Sequence, residues 1–165
     1  MTLVVLVGGA RSGKSRLAVE QARSGAAPVT FIATGEAGDA EMAERIERHR
    51  AERPSGWTTV EEPVDLARAL AAVPSSDTAI VDCLSLWVAN VGENGVDAAS
   101  TEAARVAVGR DGLTIAVTNE VGLGIVPANE LARAYRDDLG RVNAQWVQVA
   151  DEAWFVVAGR KLRLE

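Results

Sequence analysis

The feature that most constrains this chain is an apolar run followed at once by a glycine-rich loop. Leu3 to Val7 reads LVVLV, which predicts a strand buried on both faces, and Gly8 to Ser15 reads GGARSGKS. The loop matches the pattern G-x-x-x-x-G-K-[ST], and Ser15 to Ser24 behind it is predicted to be a helix closed by Gly25. Because a strand, this loop and a helix in that order are the context that the pattern requires, the sequence predicts a P-loop that binds nucleotide phosphates.

Each type of residue in this loop has a physical reason to be there. The glycines let backbone N–H groups turn inward at the positive end of the following helix, where they bind phosphate oxygens. Lys14 is expected to reach the terminal phosphates as a catalytic residue, and the Ser15 hydroxyl is expected to bind Mg²⁺. The nucleotide contacts predicted in the loop are Gly8, Gly9, Ala10, Arg11, Ser12, Gly13, Lys14 and Ser15. A turn that merely links strand and helix is the alternative, and the agreement of motif and context argues against it.

The rest of the chain alternates short β-branched runs with longer helical patterns. Further strands are predicted at Val29 to Ala33, Thr78 to Asp82 and Leu113 to Glu120, with a short extended piece at WTTVEE, a late strand at AWFVVAG and an edge strand at KLRLE. Helices are predicted at Asp39 to Arg53, at Val64 to Val73 and as two stretches between Ala128 and Ala150, whereas Val91 to Ser100 is expected to be a surface connection. Strands separated by helices imply βαβ units. We therefore predict a single α/β domain over residues 1–165, with a mostly parallel sheet flanked by helices.

Charge and cysteine content narrow the class of protein. The chain has 17 basic and 23 acidic side chains, a net charge of −6, which argues against a general nucleic-acid binder, so phosphate chemistry must use local clusters of positive charge. The single cysteine, Cys83, cannot form an internal disulfide, which fits a reducing cytoplasm. No apolar run reaches the length of about eighteen residues that spans a membrane, and the first residues lack the basic leader of a signal peptide. We expect a cytoplasmic protein.

Two carboxylates come at the ends of predicted strands. Asp82 ends TAIVD, where a P-loop protein places the carboxylate that assists the metal, although it could equally cap a helix that starts at Leu84. Glu120 ends LTIAVTNE, so its carboxylate is also expected on the ligand side of the sheet, and a bland turn is the alternative. The residues leave open which of the two activates a substrate hydroxyl.

The only histidine, His49, lies in the arginine-rich stretch RIERHRAERP. Arg45 and Arg53 fall four positions either side of it on one predicted helix face, and Arg48 and Arg50 flank that stripe. Arginine forks match phosphate oxygens, and nearby positive charge lowers a histidine pKa, which keeps the ring neutral and nucleophilic. These residues suggest attack by His49 on a nucleotide phosphorus to give a phosphoramidate. A solvated basic face with an incidental histidine remains the alternative.

Several motifs in their order along the chain point to one family. GGARSGKS, FIATGEA, RIERHRAERP, TVEEP, VDCLSLW, TNEVGLGIVPANELARAYRDDLGRVN and ADEAWFVVAG together closely resemble the bifunctional adenosylcobinamide kinase / adenosylcobinamide-phosphate guanylyltransferase family of cobalamin biosynthesis. The similarity extends over nearly the whole chain. It implies a RecA-like P-loop NTPase-type domain that assembles as a homotrimer.

The resemblance also implies two reactions and their residues. ATP or GTP phosphorylates adenosylcobinamide, and GTP then guanylylates His49, which passes GMP to adenosylcobinamide phosphate to give adenosylcobinamide-GDP. Nucleotide contacts beyond the P-loop carry over onto Ala33, Thr34, Gly35, Arg50, Ala51, Glu52, Arg53, Glu61 and Asp82. A small-molecule kinase in which His49 only binds phosphate is the alternative, and a nucleotide-gated regulatory module is a third. Trp57 and Trp87 adjoin the proposed active-site segments, so they are the better tryptophan candidates for contact with a corrin ring.

Overall fold

The computed structural model describes residues 2–38, 40–51, 53–92 and 95–165, with the side chains at positions 41, 42, 45 and 49 outside that description. The strands are β1 (Thr2–Gly8), β2 (Val29–Ala33), β3 (Thr58–Glu61), β4 (Thr78–Asp82), β5 (Leu113–Asn119), β6 (Glu152–Val157) and β7 (Arg160–Leu164). The helices are α1 (Lys14–Arg23), α2 (Ala40–Ala51), α3 (Leu66–Ala72), α4 (Leu84–Val91), α5 (Val96–Val108) and α6 (Glu130–Val149). No described helix is long and apolar enough to cross a membrane.

The seven strands form one sheet in the order β3-β2-β4-β5-β1-β6-β7. Strands β1 to β6 pair in parallel, and β7 pairs antiparallel with β6 at the edge. Strand β5 therefore separates β1, which leads into the P-loop, from β4, which ends at Asp82. This RecA-like arrangement confirms the predicted α/β fold with a mostly parallel sheet. The carboxyl ends of the parallel strands meet at one edge, where open α/β sheets bind ligands.

Both faces of the sheet are covered, which explains why its central strands are apolar throughout. On β1, Leu3, Val5 and Val7 pack into a core with α3 to α6, while Val4 and Leu6 pack on the opposite face with α1. The larger core contains the fully buried Trp87 and Trp146. The burial of Trp87 removes it from the candidates for contact with a corrin ring.

Three sequence expectations are wrong in detail. The two helical stretches predicted between Ala128 and Ala150 are the single helix α6, in which burial of Leu139, Val142 and Trp146 outweighs the cost of about 1 kcal/mol for Gly140 in mid-helix. Part of the expected surface connection from Val91 to Ser100 belongs to α5, whose residues bury at helical spacing. The N-cap of α4 is Cys83 rather than Asp82. The predicted N-cap Asp39 lies outside the described residues.

Candidate nucleotide-binding site

A cavity of about 750 Å³ opens at the carboxyl edge of the sheet, between the P-loop and the ends of the neighbouring strands. The end of β2 contributes Ala33, the end of β4 contributes Asp82 and the end of β5 contributes Asn119. Its other walls include Ala10, Arg11, Ser12, Gly13, Lys14, Ser15, Gly35, Arg48, Arg53 and Glu61. The cavity therefore brings together segments that are far apart in the sequence, and most of the predicted nucleotide contacts lie on its walls.

The P-loop has the geometry of an anion site. Gly13 is the N-cap of α1 and has a left-handed φ of 100°, which glycine adopts without strain, and Arg11 is also left-handed with a φ of 56°. Lys14 is buried, and its Nζ donates to the carbonyl oxygens of Gly8 at 2.9 Å and Gly9 at 2.7 Å. The ammonium thus lies inside the curl of the loop, at the positive end of a helix, where a phosphate would be bound.

A hairpin turn near the C-terminal end of the chain supports this loop. The sequence reasoning missed that contact. The backbone N–H of Gly159, in the turn between β6 and β7, donates to the carbonyl oxygen of Ser12 at 2.8 Å. A Cβ built on Gly8 would lie 2.1 Å from the carbonyl oxygen of Val156, so the start of the loop packs directly on β6. The conformation of the P-loop therefore depends on a contact that no local pattern encodes.

Thr34 supports the cavity from beneath instead of lining it. Its side chain is fully buried, and its hydroxyl donates to the carbonyl oxygen of Cys83 at 2.7 Å and accepts from the Cys83 N–H at 2.9 Å. Asn90 of α4 adds a bond from Nδ2 to the carbonyl oxygen of Thr34 at 2.7 Å. Both its hydroxyl and its carbonyl are bonded within the protein, and Thr34 is not on the cavity wall, so its contact with nucleotide stays a prediction. Asn90 is a further residue that the sequence did not reveal.

The arginines that follow one another in the sequence diverge in space. Arg53 lies beyond the end of α2 and lines the cavity, with its guanidinium 3.9 Å from the ring centroid of Phe31, a cation–π contact. Burial lowers the pKa of Arg53, and the negative charge of Asp82 opposes that shift. A guanidinium nevertheless keeps its charge in proteins. Arg53 therefore presents a partly desolvated cation to the cavity.

Arg50 lies away from the cavity walls and is paired with carboxylates. It forms ion pairs with Glu47, at 2.8 Å, and with Glu61 at the end of β3. Ala51 is exposed on the last turn of α2, and Glu52 lies outside the described residues. The expected nucleotide contacts at Arg50 and Ala51 are therefore not on the wall of this cavity, whereas Glu61 is.

The side chains of Arg45 and His49 lie outside the described residues, although α2 contains both positions. Arg48, next to His49 in the sequence, lines the cavity. The stripe of arginines around His49 is therefore tested only in part. Arg53 is not on the helix, contrary to the predicted pattern, because α2 ends at Ala51.

Oxygen groups suitable for a magnesium ion occur on two walls. Ser15 and Asp82 both line the cavity, and hydroxyl and carboxylate oxygens are the ligands that Mg²⁺ takes in phosphate sites. Glu120, in contrast, is hydrogen-bonded within the protein. Its Oε1 accepts from the N–H of Gly122, and its own N–H donates to the carbonyl oxygen of Gly8 at 3.0 Å. The donor set at Ser15 and Asp82 thus fits the metal that the motif predicts.

Cys83 is largely buried and lies on the cavity wall. Its thiol is buried, lies 2.9 Å from the Ser85 hydroxyl, and has a pKa raised to about 11 by burial and by the adjacent Asp82 charge. A thiol in that state is a poor nucleophile at neutral pH. It therefore acts as a small buried residue that connects β4 to α4.

The strand order, the P-loop and the cavity at the carboxyl edge define the P-loop class of nucleotide-binding α/β domains. Solved structures agree on the fold alone. An ATPase of a bacterial type III secretion system has a TM-score of 0.56 at 10% identity, over 93% of this chain and 50% of that one. A protein of Pyrococcus horikoshii OT3 has a TM-score of 0.60 at 7% identity, over 98% of this chain and 85% of that one.

The family is shown by sequence. Residues 4–164 match the family described as cobinamide kinase / cobinamide phosphate guanyltransferase. The bifunctional adenosylcobalamin biosynthesis protein CobP of Pseudomonas aeruginosa is 41% identical, over 98% of this chain and 96% of its own length. The CobU proteins of the same description from Escherichia coli and Salmonella typhimurium are 36% and 38% identical, each over 99% of both chains. The chain belongs to this family, and it is a bifunctional kinase and guanylyltransferase of adenosylcobalamin biosynthesis.

Proposed function

We propose that the chain carries out its guanylyl transfer through a covalent intermediate on His49. A ring nitrogen of His49 attacks the α-phosphorus of GTP, the N–P bond forms, and the bond to pyrophosphate breaks. A phosphate oxygen of adenosylcobinamide phosphate then attacks the same phosphorus, which breaks the N–P bond and yields adenosylcobinamide-GDP. In the earlier kinase step, the substrate hydroxyl attacks the γ-phosphorus of ATP or GTP and loses its proton. The bond from that phosphorus to the departing ADP or GDP breaks.

One observation carries this proposal: Arg48 and Arg53, on either side of the position of His49 in the sequence, line the same cavity as the P-loop. A nucleotide with its terminal phosphates at the P-loop would have its remaining charge close to these arginines. They would offset the negative charge that develops on phosphorus during attack. The backbone amides of the P-loop and the Lys14 ammonium would bind the phosphates of the nucleotide in both reactions.

The metal that the P-loop predicts is Mg²⁺. We propose that the Ser15 hydroxyl and Asp82 hold it together with the nucleotide phosphates. When bound, the ion neutralises phosphate charge and orients the reacting group. Asp82 also faces the cavity, whereas one oxygen of Glu120 is engaged by Gly122. This supports Asp82, and not Glu120, as the carboxylate that holds the ion.

The test of the covalent step uses GTP labelled at the α-phosphate or at the γ-phosphate, incubated with the protein and Mg²⁺ and followed by a denaturing gel. We expect label on the protein from the α-phosphate only, lost in acid because phosphoramidates are acid-labile, and absent in His49→Ala. Lys14→Ala should lose both activities, because the ammonium no longer neutralises phosphate charge. An unlabelled protein that still phosphorylates adenosylcobinamide would instead support the alternative of a kinase in which His49 only binds phosphate.

We further propose that the chain works in the cytoplasm as a homotrimer. The buried, unpaired thiol of Cys83 is compatible with a reducing compartment. The trimer rests on the family resemblance. Sedimentation velocity across a range of protein concentrations tests it, and a single species of monomer mass would contradict it.

A further inference from the structure

The loop between β5 and α6, with the first turn of α6, exposes an unusual set of large apolar side chains. Leu123 is 80% exposed and Ile125 98% exposed, and VGLGIVPA from Val121 to Ala128 contains no charged residue. We call the set the apolar lip, and its members are Val121, Leu123, Ile125, Val126 and Leu131. The other exposed large apolar residues in the described part of the chain lie outside this loop and the first turn of α6: Val64, Val108, Val149, Val157, Leu162 and Leu164. An apolar surface concentrated in one segment marks an interaction site.

The apolar lip starts beside the phosphate-binding edge. Asn119, the last residue of β5, lines the nucleotide cavity. The N–H of the next residue, Glu120, donates to the carbonyl oxygen of Gly8, which also accepts from the Nζ of Lys14. The loop is thus fixed to the first residue of the P-loop before its apolar residues begin. A ligand on the lip would lie next to a nucleotide bound at the P-loop.

A second cavity adjoins the apolar lip. It measures about 380 Å³ and is lined by Val88, Ala89 and Gly92 of the α4 end and by Asn129, Leu131, Ala132, Tyr135 and Asp138 of α6. Leu131 belongs to both the lip and this cavity. Helix α4 starts directly after Cys83 at the nucleotide edge, and its eight residues span roughly 12 Å. Helix α4 therefore connects the nucleotide edge with the second cavity over about that length.

The polar groups of the second cavity are bonded within the protein and leave its surface mainly apolar. The Tyr135 hydroxyl donates to the carbonyl oxygen of Ser85 at 3.1 Å, and Asp138 pairs with Arg141. Asn129, which lines the cavity, accepts from the N–H of Ala132 at 2.7 Å through Oδ1, and its amide nitrogen is a hydrogen-bond donor. The chemistry that fits is a large, rigid, mostly apolar ligand with carbonyl groups at its edge.

We propose that the apolar lip and the second cavity bind the macrocycle of the corrinoid substrate. This inference rests on the proposed function, in which the substrate hydroxyl must reach the γ-phosphorus while the rest of a large ring system stays outside a polar nucleotide cavity. A second copy of the chain fits the lip less well. A stable subunit interface buries about 800 Å² on each partner over some 20–30 residues, and the lip is five side chains of one loop and one helical turn.

The test is the double variant Leu123→Ser, Ile125→Ser, with Val149→Ser as the matched control. Val149 is 46% exposed on the last turn of the same helix that follows the lip, and it lies outside the lip and both cavities. Equilibrium binding of adenosylcobinamide is measured by ultrafiltration and the visible absorbance of the corrinoid, so catalysis is not needed. We expect the Kd of the double variant to rise about tenfold or more, because two exposed apolar side chains lose their contact with the ring. The control should bind as the wild type does.

Two companion measurements separate the alternatives. Labelling of the protein by α-labelled GTP, without corrinoid, should be unchanged in the double variant, since the lip does not bind nucleotide. If α-labelled GTP does not label the wild-type protein, the histidine mechanism is refuted, but the measured corrinoid Kd values still test the lip. An unchanged Kd overturns the proposal, and so does a rise in Kd that occurs only together with dissociation of the oligomer in sedimentation velocity, because the lip would then be a subunit interface. Weaker corrinoid binding with an unchanged oligomer supports it.

Discussion

Gly8 offers the sharpest test of how the P-loop is held. Glycine is needed here for space, because a Cβ at this position would lie 2.1 Å from the carbonyl oxygen of Val156, where real Cβ atoms stay beyond 3.0 Å. The obstacle is the backbone of β6, which is paired with β1 on one side and β7 on the other and cannot rotate away as a side chain could. In Gly8→Ala either the loop or β6 must move.

The size of the effect follows from this contact. Overpacking a well-packed region costs about 1–3 kcal/mol in the free energy of unfolding, which for a domain of this size lowers Tm by roughly 2–12 °C. The same shift displaces the Gly8 carbonyl oxygen, which accepts from the Lys14 Nζ at 2.9 Å and from the Glu120 N–H at 3.0 Å. Misplacing a reacting group by about 1 Å lowers rates by up to 10²-fold. We therefore expect the kinase rate of Gly8→Ala to fall by up to that factor at temperatures where the variant is still folded.

The assay is thermal denaturation of Gly8→Ala beside Gly9→Ala, followed by GTP titration and the kinase rate of the Gly8 variant. A Cβ on Gly9 meets nothing within 4 Å, so that substitution should be neutral in stability, or stabilising by about 0.4–1 kcal/mol through the unfolded chain. A Gly8 variant that melts no lower than its Gly9 counterpart, and binds GTP as the wild type does, would refute the argument from close packing.

Three further predictions concern buried groups. Arg110 donates to four backbone carbonyls between Leu70 and Asp77, so Arg110→Met should lower the free energy of unfolding in urea by about 3 kcal/mol or more, and a loss near zero would contradict this. Burial raises the pKa of Tyr135, the only tyrosine, to about 12, so phenolate absorbance should appear near that pH in the folded protein and near 10 in urea. Because the folded pKa is the higher one, the stabilisation from this group is complete below about pH 10 and is lost as the pH rises toward 12. The Cys83 thiol, with its pKa raised to about 11, should react with iodoacetamide at pH 8 far more slowly in the folded than in the unfolded protein, and equal rates would show that it is accessible.

The parts of the fold that the sequence predicts are those that a local pattern encodes. The P-loop follows from one strand, one loop and one helix, and the buried strands are apolar because helices cover both faces of the sheet. Helix α5 escaped prediction because it starts after Gly95 with a left-handed φ of 99°, and its buried side is mostly alanine and serine, a weak hydrophobic pattern. The hydrogen bond from Gly159 to Ser12 could not be predicted, since it joins the first loop of the chain to its last hairpin.

The arginines around His49 show why charge in a sequence is an incomplete guide to charge in a site. Arg50 is paired with Glu47 and with Glu61, the last residue of β3, so that its charge is largely offset before any ligand binds. Arg53 leaves the helix and stacks on Phe31, which holds its guanidinium at the cavity without cancelling the charge. In a chain with a net charge of −6, a triphosphate is therefore attracted by a local cluster of cations that lines one cavity: Arg11, Lys14, Arg16, Arg23, Arg48 and Arg53. They converge there because β1 and β2 end at one edge of a parallel sheet.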